Sequence, residues 1–386
     1  MLHQYKLRFY NFRLILFLLL LSGFGIQLVG IAMSDLRNRQ LGGVALGVAV
    51  MLLLSFIDYS WILNFQWFIY GFNILMLLAV YAFGNSVNGA ARWIDLGFVT
   101  FQPTELSKVL IVVFFAKYLM DHEDEINTFQ VIARSVILLG FPLILIYIQP
   151  DMKNTLTILM VFAILYYIAG LSYRIIIGAV LIIIPTIVIF LSIVVQPDQK
   201  LIKDYQRDRI MSFLYPENEE YSDNIEQQRN SQTAIAAGEL LGRRHNEEHE
   251  VSSVNEGNFV PENQTDFIFA VAGEEYGFVG CAFIVLLLLA ISLECVRMGM
   301  RAKDLSGKIL CCGIASIVSI QGFLNISVAT GIAPNTGTPL PFVSYGLTSI
   351  VSLFTGMGFV LNVGLQSSSY TKELELTEYE RKEEYL

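Results

Sequence analysis

LILFLLLLSGFGIQLVGIAM, residues 14–33, decides the fold. It carries no charged residue, and as a helix it rises about 30 Å, the thickness of a bilayer's hydrocarbon core. Lys6, Arg8 and Arg13 precede it, the arrangement of a secretory signal. The apolar run is longer than a signal core, however, and no small-x-small cleavage site follows. The stretch therefore predicts an uncleaved first membrane span.

Outward from it the pattern repeats. Of the 386 residues, 54% are hydrophobic and only 15% are charged, where a soluble protein carries about 25% charge. Apolar blocks recur at roughly 41–58, 61–83, 103–120, 131–149, 155–171, 174–195, 266–295, 307–330 and 342–366. The expected fold class is an all-α polytopic membrane protein with ten transmembrane helices. One membrane domain is expected over 1–386, with a long extracellular loop (196–265) between spans seven and eight and a charged tail (367–386). The formal net charge of −9 reflects acids gathered in that loop and tail. No basic, aromatic-interleaved face points to nucleic acid. Cys281, Cys295, Cys311 and Cys312 fall in or beside apolar segments, where they read as small buried hydrophobes rather than as a disulfide or zinc framework.

Orientation follows from the cations of the short loops. Lys6, Arg8, Arg13, Lys117, Arg134, Arg174 and the cluster between 297 and 308 fall on the side of the termini, whereas Arg37, Arg39, Arg92 and Lys153 fall opposite. The positive-inside rule then places both termini in the cytoplasm. Within the outer loop, SQTAIAAGELLG (231–242) is expected to form a short amphipathic helix at the interface.

Several polar residues stand where a membrane makes them costly. In NGAARWIDLGFVTFQPTELSKVL (88–110), Pro103 can open a helix on which Glu105 and Lys108 share a face. They read either as a structural ion pair or as the wall of a polar cavity. Arg92 and Trp93 read as interface residues or as part of the same cavity. Asp151 follows the helix-breaking Pro150 and can cap the next helix. Arg207 and Arg209, in YQRDRIMSFLYPE (205–217), suit lipid headgroups or a lipid diphosphate. His245 and His249 lack an H-E-x-x-H pattern and read as a solvated loop; no metal site is expected. Asp266, in PENQTDFIFAVAGEEYGF (261–278), stands at the threshold of an apolar run as a helix cap or as a working acid, with Glu274 about 12 Å deeper along the helix.

Together these stretches resemble the SEDS family of shape, elongation, division and sporulation proteins. GAARWIDLGFVTFQPTELSKV, QPD, YQRDRIMSFLYPE, FVPENQTDFIFAVAGEEYGFVG and GIAPNTGTPLPFVSYG follow in the family's order between residues 89 and 346. YQRDRI leans towards its RodA-like branch. The resemblance implies a ten-span enzyme of the bacterial cell membrane that polymerises lipid II into peptidoglycan strands, beside a class B penicillin-binding protein that crosslinks them. It makes Asp266 the essential acid and Trp93 a functional tryptophan. It puts Arg92, Glu105, Lys108 and Asp151 at the central cavity. The chain departs from the family's usual QPDLGT, having QPDMKNT with Lys153 in place of glycine, and from SYGGSS, having SYGLTS. AAGELLGRRHNEE replaces the family's Gly-rich outer-loop stretch.

On this reading Asp266 is the general base of an inverting transfer. Arg92, Lys108, Arg207 and Arg209 are candidates for holding the diphosphate, and any Mg²⁺ is expected to come with it. A lipid II flippase using Glu105, Lys108 and Glu274, or a non-catalytic scaffold acting through the outer loop, are the alternatives.

Overall fold

The computed structural model describes residues 9–87, 90–95, 97, 100–196, 202, 204–215, 222–243 and 262–366. His245, His249 and the tail lie outside the described residues. Most of the described residues are helical. Helix α1 (Phe12–Ala32) starts at Asn11, whose side chain accepts from Leu14 N at 3.1 Å. It is followed by α2 (Arg37–Ser55), a short α3 (Tyr59–Leu63) and α4 (Gln66–Phe83). The expected third span is thus broken at Asn64–Phe65, and only its second part is long enough to cross.

After α4 the structure holds something an all-α reading omits. β1 (Gly84–Val87), β2 (Ala90–Asp95) and β3 (Thr100–Phe101) form a small antiparallel sheet in that order. Val87 pairs with Ala90, so only Asn88 and Gly89 connect the first two strands. Asn-Gly is the residue pair a two-residue hairpin turn favours. Pro103 then opens α5 (Pro103–Asp121) at a position where its missing N–H costs nothing.

α6 (Phe129–Ile148), α7 (Met152–Ile168) and α8 (Tyr173–Val194) complete the first half. α9 (Asp204–Leu214) and α10 (Ser222–Ala237) lie in the outer loop, and α11 (Ile268–Met300), α12 (Leu305–Ala329) and α13 (Leu347–Leu365) form the second half. Eight of the helices are long and apolar enough to cross a membrane: α1, α2 with its preceding turn, α4, α6, α8, α11, α12 and α13. α7 is apolar but only 17 residues long.

The core is built from α5, α11, α12 and α13, with small residues at the crossings. A Cβ on Gly47 would lie 2.5 Å from the Phe354 ring, and one on Gly358 would lie 2.9 Å from Met51 O. Such close approach is how membrane helices gain packing energy without a hydrophobic drive between them. α8 is different: of its residues only Val194 is buried, and its apolar side chains face outward all round.

The outer-loop helix is longer and earlier than expected. α10 begins nine residues before Ser231 and stops before Gly238. It packs on α11 and on the end of α12, where Gln228 Nε2 donates to Val328 O and Ala333 O, both at 2.8 Å, and Ser231 Oγ donates to Ala329 O at 2.9 Å. The next residues, GELLG, do not continue the helix, because they meet a kink in α11. Gly277 there has φ 60° and ψ −157°. The kink frees backbone donors, and Phe278 N and Val279 N bond instead to Glu239 O (2.9 Å) and Leu240 O (3.2 Å).

Candidate active site

The loops at one end of the bundle enclose a cleft of about 900 Å³. Asp266 lies in its wall, in the turn that precedes α11. The turn closes on itself through Asp266 N to Glu262 O at 3.1 Å. α12 and the loop after it clamp the turn: Asn325 Nδ2, on α12, donates to Asp266 O at 2.8 Å, and from the loop Ser344 Oγ donates to Thr265 O at 2.5 Å and Tyr345 N to Gln264 O at 2.9 Å. Asp266 does not cap α11. The cap position is Phe267, with no side-chain cap bond. Among the described residues nothing donates a hydrogen bond to the Asp266 carboxylate, and it is half-buried against the cleft. A carboxylate so placed can take a proton from a group that enters the cleft.

The other expected residues divide into two sets. Arg92, Trp93, Glu105 and Arg209 line the cleft with Asp266. Arg92 and Trp93 sit on β2, and Arg92 anchors that strand by donating Nε to Gln149 O at 3.3 Å and Nη2 to Pro150 O. Glu105 comes from the first turn of α5 and Arg209 from α9.

Lys108, Asp151 and Arg207 do not line it. Lys108 is buried with its Nζ 2.9 Å from Glu105 Oε2. Asp151 is buried as the cap of α7, accepting from Asn154 Nδ2 (2.8 Å), Thr104 Oγ1 (3.1 Å) and Gln102 Nε2 (3.2 Å). It thereby ties the start of α5 to the start of α7. Arg207 donates to Val194 O (3.2 Å) and Val195 O (3.5 Å), closing the C-terminal carbonyls of α8. The reason is periodicity: residues two apart on a helix point about 200° apart, so Arg207 and Arg209 cannot serve one face. Glu274 is also away from the cleft, buried and paired with Arg243 Nη1 at 2.8 Å. Among the described residues no group of three His, Cys, Asp or Glu is disposed to hold a metal ion.

From residue 10 to residue 369 the sequence matches the family model of the FtsW, RodA and SpoVE cell cycle proteins. The chain belongs to that family. The probable peptidoglycan glycosyltransferase FtsW of Geobacter sulfurreducens is 31% identical over 377 residues, 92% of this chain and 95% of its own. The peptidoglycan glycosyltransferase MrdB of Escherichia coli K12 is 29% identical over 344 residues, 88% of either chain. In three dimensions the chain matches a component of a peptidoglycan synthase complex, solved for its structural coordination of polymerization and crosslinking. The TM-score is 0.75 at 27% identity, covering 92% of this chain and 97% of that one. The rod shape determining protein RodA of Thermus thermophilus shares the fold, with a TM-score of 0.68 at 24% identity over 93% of this chain and 98% of that one.

On this FtsW/RodA/SpoVE frame the cleft gathers residues that the sequence reading leaves out of the site. Arg39, Asp95, Lys153, Asp208, Glu262 and Gly337 all line it. Lys153 carries a signal, as a departure from the motif. Arg39 carries none, because a cation at the start of a span is already explained by the headgroups.

Proposed function

We propose that the chain is a peptidoglycan glycosyltransferase that polymerises lipid II into glycan strands, with Asp266 as its general base. Membership of the family and the names of its relatives support this. The observation that carries it is the unengaged Asp266 carboxylate in a cleft that also holds Arg39, Arg92, Lys153 and Arg209. A base for the acceptor and cations for the leaving group thus share one cavity.

The acceptor sugar's 4-hydroxyl gives its proton to Asp266 as its oxygen bonds to the anomeric carbon of the donor. The bond from that carbon to the phosphate oxygen breaks, and its electron pair leaves with the lipid diphosphate. One displacement from the opposite face inverts the carbon, and no covalent enzyme intermediate is needed. Guanidinium and ammonium groups offset the charge gathering on the diphosphate. Trp93 offers aromatic surface to the disaccharide. Any magnesium would come with the diphosphate as its counter-ion. A flippase would need a continuous polar path, but Glu105 and Lys108 are closed on each other at 2.9 Å and Glu274 on Arg243 at 2.8 Å.

In this proposal ten helices cross the cell membrane, with α5 and α7 joining the eight, and both termini are cytoplasmic. The cleft then opens outside, where a class B penicillin-binding protein crosslinks the product. The test is lipid II polymerisation by purified protein with that partner present. Asp266→Ala and Asp266→Asn are each expected to lose activity about 10²- to 10⁴-fold, the contribution of a positioned base. Polymerisation by either variant at the wild-type rate would remove Asp266 from the reaction.

A further inference from the structure

Lys153 stands in the first turn of α7 and lines the cleft. Its ammonium donates to Gly337 O. Gly337, at φ +70°, is the residue that brings the other groups together: a Cβ there would lie 3.0 Å from Asp266 Oδ2 and 3.6 Å from Arg209 Nη1. Lys153 from α7, Arg209 from α9 and Asp266 from the turn before α11 therefore converge on one glycine.

Of the other expected cations, two lie away from the cleft and the third lines it while holding two backbone carbonyls. Lys108 is held by Glu105, Arg207 by the end of α8, and Arg92 by the carbonyls of Gln149 and Pro150. Lys153 has three N–H donors; its hydrogen bond among the described residues goes to a neutral carbonyl, and the nearby Glu105, already paired with Lys108, acts on it only through space. A carbonyl is a weaker partner for an ammonium than an anionic oxygen, whose charge-assisted bond is roughly twice as strong. Helix position adds to this. A cation in the first turn opposes the helix dipole, so nothing in α7 itself favours lysine there. The same dipole favours an anion arriving at that end.

We propose that Lys153 is a phosphate-binding residue of this chain, exchanging the Gly337 carbonyl for an oxygen of the lipid-linked diphosphate on the Arg209 side of Asp266. This rests on the glycosyltransferase reading and adds to it a cation that the usual QPDLGT pattern lacks. No bond is made or broken covalently in the exchange; one hydrogen bond replaces another.

The test uses the full chain with its partner, and the variants Lys153→Met, which keeps the stem, and Lys153→Arg, which keeps the charge. Lipid II polymerisation is measured for KM and kcat, and undecaprenyl diphosphate is the probe both as competitor and in direct binding. Lys153→Met is expected to raise the KM and weaken binding of the probe about tenfold, the worth of one charged hydrogen bond. Lys153→Arg is expected to stay within about threefold of wild type, with the melting temperature unchanged in both. Equal probe binding by Lys153→Met and wild type would overturn the proposal, as would equal loss in both variants, which marks a latch on the Gly337 loop. Direct binding keeps the two readings apart. A wild type that binds the probe through Lys153 yet never polymerises would retain the phosphate site and sink the glycosyltransferase.

Discussion

Asn325 donates from one amide nitrogen to two backbone carbonyls, those of Asp266 and Thr338, each at 2.8 Å. It is buried in α12 and does not itself line the cleft, so its effect on the reaction runs through the position of Asp266. Asn325→Ala strands two inward carbonyls, a loss of about 1–3 kcal/mol each where water cannot reach them. Ser344 and Tyr345 still clamp the neighbouring residues, so the turn shifts rather than unfolds. The expected result in the polymerisation assay is a kcat lowered about tenfold with KM nearly unchanged, because the base contributes to the transition state more than to substrate binding. An unchanged kcat would show that the Thr265 and Gln264 bonds alone hold the base. Arg207 and Arg209 make a second contrast at this scale. Arg209→Gln should raise the KM for lipid II, while Arg207→Gln should leave KM alone and lower thermal stability by about 1 kcal/mol through the frayed end of α8. A KM effect from Arg207→Gln would return it to the cleft.

The joint between α10 and α11 shows what an element can owe to a distant backbone. Gly277 adopts a conformation open in practice only to glycine, and a Cβ on it would meet Gly242 N at 2.5 Å and Gly238 O at 2.7 Å. Gly277→Ala is expected to cost about 1–3 kcal/mol from backbone strain alone, and more from the clash, read as a drop in melting temperature in detergent. Gly140→Ala in α6, with nothing within 4 Å of the added carbon, is the neutral control. Equal melting temperatures for the two variants would mean that the kink is not a fixed feature. This joint was not legible in the sequence. A glycine in an apolar run gives no sign of bending until the loop that fills the bend is known, and GELLG looks helical by composition. The hairpin did leave a sign, Asn88-Gly89, but it lies in a stretch whose proline-led helix dominates the reading. Asp266 was legible because an acid at the edge of an apolar run is a one-dimensional signal. Which of Arg207 and Arg209 enters the cleft depended on α9 being a helix, and Asp151 resolved into a cap only once Thr104 and Gln102 were beside it.

Across the whole molecule the loops sort into two faces by their bonds. On one, Arg92 reaches Gln149 and Pro150, Lys153 reaches Gly337, and Thr348 Oγ1 reaches Thr100 O at 3.2 Å. On the other, Ser172 N bonds Asn127 Oδ1 at 2.7 Å, Gln66 Nε2 bonds Asp121 Oδ2 at 3.3 Å, and Gln366 Nε2 bonds Asp58 Oδ1 at 2.9 Å. This sorting bears on whether α5 and α7 cross. If only the eight apolar helices crossed, the termini would still share a side, but the α6–α7 turn would lie opposite the hairpin, where Arg92 could not reach it. Ten crossings put both on the cleft face and put residues 122–128 on the opposite face. α5 can cross despite its charges because Glu105 and Lys108 neutralise each other at 2.9 Å inside the bundle. α7, at 17 residues, rises about 26 Å and needs only slight thinning of the bilayer around it. Single cysteines at Glu123 and Ile332, both exposed, separate the counts in a background with Cys312→Ser, since the other three cysteines are buried. A membrane-impermeant maleimide applied to intact cells should label Ile332→Cys and reach Glu123→Cys only after permeabilisation. Labelling of both from outside would leave eight crossings. Labelling of Glu123→Cys alone would keep ten and invert the molecule, turning the cleft towards the cytoplasm.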